Sequence, residues 1–124
     1  GDFHLRQVLI STPTIGFVDF DRAGAGPAVG DIACCRAHVE WDVLTGALSR
    51  GRADDVIEEL LAGYARVRER PSSPDLDACT AAALTLLLPE PFRHFRPDAF
   101  DLTARILDRA LALLTPAAAR TSLS

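Results

Sequence analysis

Only the first twenty residues of this chain carry a strand-like pattern, and that limits the folds open to the remainder. Residues 8–10 and 15–20 are β-prone, and Thr12, Pro13 and Thr14 lie between them. Two such runs separated by a short breaker predict an antiparallel hairpin. A two-stranded hairpin is marginally stable by itself. We therefore expect the rest of the chain to pack against it and cover one of its faces.

After a glycine-rich loop at residues 22–27, apolar residues recur at helical spacing almost to the end of the chain. We expect a first helix from Pro27 to about residue 49, a break at Gly51, and a second helix over 53–69 closed by arginines. A third helix begins at Ser73 and Pro74, because serine favours the N-cap and proline the first turn.

The third helix is expected to end at Pro89, and Pro97 opens a fourth. The side chains that we expect this fourth helix to turn inward are Phe100, Ile106, Leu107, Leu111 and Leu114. Residues 122–124 resemble a frayed tail. The predicted fold class is α+β, mostly α: one hairpin followed by about four helices in a single domain.

The charge pattern argues against nucleic acid as a partner. All 13 basic residues are arginine and the net charge is −4, whereas nucleic-acid binding relies on a basic surface. No apolar run approaches the roughly 18 residues that a membrane span requires, so we expect no membrane partner. The expected location is the cytoplasm, and the sequence does not indicate an oligomeric state.

The cysteines and histidines form no recognisable ligand motif. Cys34, Cys35 and Cys79 fit no zinc spacing, and we interpret them as small buried hydrophobic residues in a reducing compartment. The three histidines are far apart in sequence, and of them only His4 lies near other candidate residues.

Acidic and amide side chains are expected to converge at the open end of the hairpin. Asp2 and Gln7 precede the first strand, and Asp19 and Asp21 end the second run. Because the start of one antiparallel strand lies beside the end of the other, these four residues should come together. Their oxygens suit Mg²⁺, and a carboxylate there could act as a general base on a hydroxyl. Solvated loop carboxylates are the alternative interpretation.

The spacing of these acidic and amide residues indicates a function more specifically than their composition does. The segment 1–10 reads Gly-Asp-Phe-His-Leu-Arg-Gln-Val-Leu-Ile, residues 18–21 read Val-Asp-Phe-Asp, and residues 30–33 read Gly-Asp-Ile-Ala. Kinases have the same order: a catalytic aspartate, an amide five residues later and a metal-binding aspartate after the next hairpin. The chain resembles the aminoglycoside phosphotransferase and choline kinase-like family, which has a protein-kinase-like fold. The resemblance covers the whole chain, and its specific part is residues 1–33.

The resemblance implies a role for each matching residue. Asp2 corresponds to the catalytic base, Asp19 to the aspartate that binds Mg²⁺, and Gln7 to a metal-binding amide that is usually asparagine. Asp31 corresponds to an aspartate that braces the catalytic loop, or is only a first-turn helix charge. Asp21 and His4 are supporting candidates; Asp21 could equally be solvated, and His4 could contact substrate. The implied cofactors are Mg²⁺ and ATP or another nucleoside triphosphate.

The resemblance also implies a missing part. Family members hold nucleotide with an N-terminal lobe that carries a lysine, and this chain contains no lysine. We expect 1–124 to be the C-terminal lobe, with catalytic and metal-binding loops in 1–33 and a helical subdomain in 34–124. The partners are then the missing N-terminal lobe and a small hydroxyl-bearing substrate, and the chain alone should be inactive. The alternative is a non-catalytic helical remnant that serves as an interaction module.

The acceptor molecule is not determined by the sequence. An acidic pocket would suit a cationic aminoglycoside, and two pairs of acidic residues could supply one: Glu40 with Asp42, or Asp75 with Asp77. We interpret these four as solvated helix charges.

Overall fold

A computed structural model describes residues 2–22 and 24–115. Within them a single 3₁₀ turn (Leu5–Gln7) leads into strands β1 (Val8–Ser11) and β2 (Thr14–Phe17). The helices are α1 (Ala28–Leu44), α2 (Arg50–Tyr64), α3 (Ser73–Leu86), the single turn α4 (Glu90–Arg93) and α5 (Ala99–Leu114). The predicted class, α+β and mostly helical, is confirmed. The expected tail at 122–124 lies outside the described residues.

The two strands form an antiparallel hairpin with the turn at Thr12 and Pro13. Val8 pairs with Phe17, and Ser11 pairs with Thr14. The second strand ends at Phe17 rather than Phe20, and residues 18–20 continue without strand pairing.

The expected helical cover over the hairpin is absent in the described part of the chain. Leu9, Ile10, Ile15 and Phe17 are all more than half exposed. The reason is that the helices bury their apolar faces against one another, and the buried clusters contain no strand residue. The hairpin is therefore an exposed apolar arm beside the helices.

The core is built by α1, α3 and α5. Ala37 of α1, Leu84 of α3 and Leu102 and Ile106 of α5 are almost completely buried in one cluster. A second cluster joins α1, α2 and α3 through Ile32, Leu61 and Leu76. The first helix belongs to both clusters, which fixes its N-terminal turn beside the hairpin.

The boundary between α1 and α2 differs from the predicted one. Helix α1 ends at Leu44, and Gly46 follows with a φ of 79°, a left-handed conformation that favours glycine after a helix. Ser49 caps α2, since its side chain accepts a hydrogen bond from the Arg52 amide at 3.3 Å. Gly51 is therefore inside the first turn of α2 and does not mark the break.

The arginines expected to close the second helix lie beyond its end. Helix α2 stops at Tyr64, and Arg70 folds back so that its guanidinium donates two hydrogen bonds to Glu58, at 2.7 and 2.8 Å. Arg70 is thus paired with Glu58 through its side chain and does not lie in the last turn of α2.

The inward face of α5 also differs from the prediction. Ile106 is buried as expected, but Phe100, Leu107, Leu111 and Leu114 are exposed. The residues that α5 buries are Ala99, Leu102, Ile106, Ala110 and Leu113. These positions share one helix face by their spacing of three and four, and the helix carries more leucines than that face can hold.

Candidate active site at the hairpin base

A cavity of about 190 Å³ lies where the hairpin meets the start of α1. Its lining includes Asp2, Gln7, Asp19 and Asp31, which come from three separate segments. The structure thus brings together two side chains from before β1, one from after β2 and one from the first turn of α1. Asp21 is exposed and is not among the lining residues, although it was expected to converge with them.

Gln7 is the buried member of the set. Its side chain and backbone are held by the local chain: Oε1 accepts a hydrogen bond from the His4 amide at 3.4 Å, and its carbonyl accepts one from the Val18 amide at 3.0 Å. The second bond ties the segment before β1 to the segment after β2. An amide oxygen has two lone pairs, so Gln7 Oε1 retains capacity for a metal ion.

Asp19 has an unusual backbone. Its φ is 65°, in the left-handed region that non-glycine residues adopt infrequently and that aspartate tolerates better than most. Such conformations cost free energy and are concentrated at functional sites. Asp19 lines the cavity together with Asp2 and Gln7.

Asp2 is half-buried and lies between two cavities. On one side it lines the 190 Å³ cavity with Asp19. On the other it lines a cavity of about 290 Å³ between α1 and the end of α3, together with His4, His38, Leu87 and Glu90. The Asp2 carboxylate is 3.6 Å from the Arg22 guanidinium in an ion pair that is largely exposed.

A model of the phosphotransferase enzyme family (APH) matches residues 1–70 of this chain. The chain belongs to the phosphotransferase enzyme family. No curated protein and no solved structure matches the chain. The matched segment contains all the residues that line the 190 Å³ cavity, the hairpin and the helices α1 and α2. The family assignment that the sequence motif indicated is confirmed.

For this phosphotransferase, one group of residues near Asp2 was not predicted. The Cys34 thiol, a His38 nitrogen and an Asp2 carboxylate oxygen lie within 4.8 Å of one another. The ring of His4 packs on that of His38 with centroids 4.6 Å apart. Burial lowers the pKa of His38, and the nearby His4 lowers it further. A sequence signal existed: Cys34 and His38 are four residues apart on one helix and therefore share a face.

The cysteine interpretation is confirmed for one residue and incomplete for another. Cys35 is completely buried, and this burial, followed by the neighbouring Cys34, raises its thiol pKa to about 12. Cys34 points to a different side of α1 and is only half-buried; burial followed by the Asp2 charge raises its pKa. All three cysteines are free thiols.

Of the four acidic residues considered for a cationic acceptor, Glu40, Asp42 and Asp77 are not solvated helix charges, whereas Asp75 is exposed. Glu40 is only 3% exposed and is held by Arg50 and Arg109 through hydrogen bonds of 2.7 to 2.9 Å. Asp42 faces Arg6 at 3.4 Å, and Asp77 accepts a 2.7 Å hydrogen bond from Arg36. Asp75 lies in the first turn of α3, where its carboxylate accepts a 2.6 Å hydrogen bond from the Ser72 hydroxyl. Each carboxylate therefore already has a structural partner.

The described helices include none that is long and apolar enough to cross a bilayer.

Proposed function

We propose that this chain is the catalytic half of an ATP-dependent phosphotransferase that moves the γ-phosphate to a hydroxyl of a small molecule. The observation that carries the proposal is the cavity at the hairpin base. It gathers Asp2, Gln7, Asp19 and Asp31 from three segments and has a left-handed backbone at Asp19. The family match at residues 1–70 supports the same reaction class.

Asp2 is the proposed base. In phosphoryl transfer the protein mainly positions the reactants and stabilises charge, and an aspartate orients the acceptor hydroxyl and accepts its proton. Asp2 suits this task because its carboxylate is accessible from both cavities. The ion pair with Arg22 does not prevent it, since an exposed pair of this kind contributes about 1 kcal/mol or less.

Asp19 and Gln7 are the proposed ligands of Mg²⁺. A carboxylate and an amide oxygen form the hard-oxygen donor set that Mg²⁺ prefers. When bound, the ion would neutralise charge on the nucleotide phosphates. Asp31 borders the same cavity from the α1 turn, a position from which it would brace the loop that carries Asp2.

The 290 Å³ cavity is the proposed acceptor site. Asp2 lines both cavities and Asp19 lines only the 190 Å³ cavity, so an acceptor in the larger cavity and a nucleotide at Asp19 would meet at the base. Its wall combines apolar Leu86 and Leu87 with Glu90 and Arg93. That mixture suits a small polar molecule with an apolar face, and cavities of this size are in the range used by small ligands.

A nucleotide-binding lobe is the proposed partner of the hairpin. The apolar side chains of Leu9, Ile10 and Ile15 are exposed on both strands, and apolar patches of this kind mark interaction sites. A lobe seated on the arm would also close the 190 Å³ cavity over the nucleotide. The competing proposal is a non-catalytic interaction module, which would use the same arm to bind another protein.

Steady-state kinetics of the enzyme carrying both lobes tests the proposal. Asp2→Ala and Asp19→Ala should each lower turnover by at least about 100-fold, the loss expected for a positioned base or metal ligand. Cys79→Ser, outside both cavities, should stay within a few-fold after correction for folded protein. Turnover of both aspartate variants within a few-fold of wild type would refute the catalytic assignment and favour the interaction module.

A further inference from the structure

We propose a second metal site, formed by Asp2, Cys34 and His38, that takes a borderline-soft divalent ion such as Zn²⁺ and blocks the base. The metal-binding part of this proposal stands on geometry alone. Its inhibitory consequence rests on the proposed function of Asp2.

The three ligand atoms are already close. The carboxylate oxygen, thiol sulfur and imidazole nitrogen lie within 4.8 Å of one another, and all three residues are half-buried. Tetrahedral zinc has ligand bonds of about 2.0 to 2.3 Å, which places its ligand atoms roughly 3.5 Å apart. Side-chain movements of about 1 Å would therefore close the set, and Asp2, which precedes the first secondary-structure element, can supply them.

A rigid element carries two of the ligands. Cys34 and His38 are one helical turn apart on α1, a helix that contributes residues to both core clusters. Two ligands at this spacing on a helix face one ion without backbone rearrangement. The site therefore needs only the Asp2 segment to adjust.

His4 is the candidate fourth ligand, and its nitrogen lies outside the 4.8 Å set, so its side chain would have to turn toward the ion. Its ring packs on His38, and its Nδ1 is a buried atom that has no hydrogen-bond partner among the described residues. A buried polar atom without a partner is costly, and a bound metal would satisfy it. His4 is thus an independent indication of a ligand at this position.

The donor set distinguishes this site from the Mg²⁺ site. Thiolate and imidazole favour zinc and related ions, whereas Mg²⁺ prefers oxygen alone. His38 suits the role because a neutral imidazole nitrogen is a common metal ligand. The thiol of Cys34 would lose its proton to solvent on binding.

Binding would compete directly with the acceptor. All four side chains line the 290 Å³ cavity, which also provides the entry path. An ion held there by Asp2 occupies the carboxylate that would otherwise orient the hydroxyl. The expected effect is inhibition by zinc that more acceptor relieves and more Mg²⁺ does not.

Cobalt absorption spectroscopy of the 124-residue chain, with neither nucleotide nor acceptor present, tests the site. Co²⁺ bound by a thiolate gives a near-ultraviolet charge-transfer band, and Zn²⁺ displaces it. We expect a one-to-one band in the wild type that Cys34→Ser abolishes and Cys79→Ser retains. His38→Asn, Asp2→Asn and His4→Gln should each weaken cobalt affinity at least about 10-fold, the minimum usual for changes around a metal.

His94→Asn, at the exposed histidine that directly follows α4 and does not line the 290 Å³ cavity, is the matched control and should bind cobalt as wild type does. A thermal melt of each variant identifies any that fails to fold. No thiolate band in the wild type, or an equal band in Cys34→Ser, would overturn the site. Unchanged cobalt affinity in Asp2→Asn would show that Asp2, the proposed catalytic base, is not a ligand of this site.

Zinc inhibition of the enzyme carrying both lobes tests the consequence separately. The measured quantity is the ratio of kcat/KM with and without buffered free Zn²⁺, at constant Mg²⁺ and within each variant. Zinc should lower kcat/KM at least 10-fold in the wild type, so that the ratio is about 0.1 or less. In Cys34→Ser the ratio should stay near one. Cobalt binding without inhibition would contradict the role given to Asp2 while leaving the metal site intact.

Discussion

At the scale of single residues, Asp19 combines an unusual backbone conformation with a proposed role as a metal ligand. Its backbone is left-handed, with a φ of 65°, at the point where the chain leaves the hairpin, and Asp19 lines the same cavity as Asp2. Aspartate and asparagine tolerate this conformation better than other residues with a Cβ. The backbone requirement and the chemical requirement at this position can therefore be separated by substitution.

Asp19→Asn should abolish activity without unfolding the protein. Asparagine keeps the shape and the tolerance for positive φ, so the free energy of unfolding should change by about 0.5 kcal/mol or less. Turnover should fall at least about 100-fold because the metal loses an anionic ligand. Urea denaturation and steady-state kinetics on the same preparation measure the two effects. A variant that loses both stability and turnover would show that Asp19 acts through the fold.

At the scale of secondary-structure elements, Glu40 links three helices. Its carboxylate on α1 accepts hydrogen bonds from Arg50 on α2 and from Arg109 on α5. Burial alone would raise the pKa of Glu40, but the two guanidinium groups outweigh it and lower the pKa from 4.5 to about 2. The pair network therefore stabilises the packing of α1 against α2 and α5.

Glu40→Gln should destabilise the protein in a pH-dependent manner. Because the folded pKa lies below the unfolded value of 4.5, the stabilisation is fully present above pH 4.5 and is lost as pH falls toward about 2. We expect a loss of about 2 to 4 kcal/mol at pH 7, since two partly exposed arginines lose their partner. The difference from wild type should shrink to about 1 kcal/mol or less as pH approaches 2.

Urea denaturation at several pH values from 7 down to 3 measures this difference. Glu59→Gln, at an exposed position on α2, is the control and should change stability by about 0.5 kcal/mol or less at each pH. A Glu40→Gln penalty that is the same at pH 7 and pH 3 would contradict the ionic basis of the network.

The orientation of α5 gives a second prediction at this scale. Leu102 is completely buried against α1 and α3, whereas Leu111 is 54% exposed. Leu102→Ala should therefore destabilise the protein by about 2 to 5 kcal/mol through a cavity in the core. Leu111→Ala should cost about 1 kcal/mol or less. Equal losses in thermal or urea unfolding would mean that α5 is turned differently.

The elements were predictable from sequence to different degrees. Local preferences predicted the hairpin, the order of the helices and the start of the third helix at Ser73 and Pro74. They did so because turns and caps depend on a few neighbouring residues. The face of α5 did not, since its leucines surround more than one side and only packing against α1 and α3 selects Leu102 over Phe100. The boundary at Gly46 rather than Gly51 depended on backbone conformation, which composition does not specify.

At the scale of the whole molecule, the functional features lie at one end. The exposed hairpin, the 190 Å³ cavity and the 290 Å³ cavity meet around Asp2, while α2, α3 and α5 provide the support behind them. The convergence of Asp2, Gln7 and Asp19 could be predicted from the antiparallel register. The closeness of Cys34 and His38 to Asp2 could not, since it depends on how the segment before β1 packs on α1.

The central claim is that Asp19 and Gln7 form a metal site in the cavity at the hairpin base. Its most direct test is paramagnetic line broadening in amide NMR spectra of the chain titrated with Mn²⁺ and nucleotide. The method detects even weak binding, so it suits the 124-residue chain by itself. Asp21→Asn is the matched control, because Asp21 is exposed and outside the cavity lining.

We predict that broadening in the wild type centres on the amides of Gln7 and Phe20, persists in Asp21→Asn and disappears in Asp19→Asn. Broadening centred elsewhere, or unchanged in Asp19→Asn, would contradict the assignment of this cavity as the catalytic metal site.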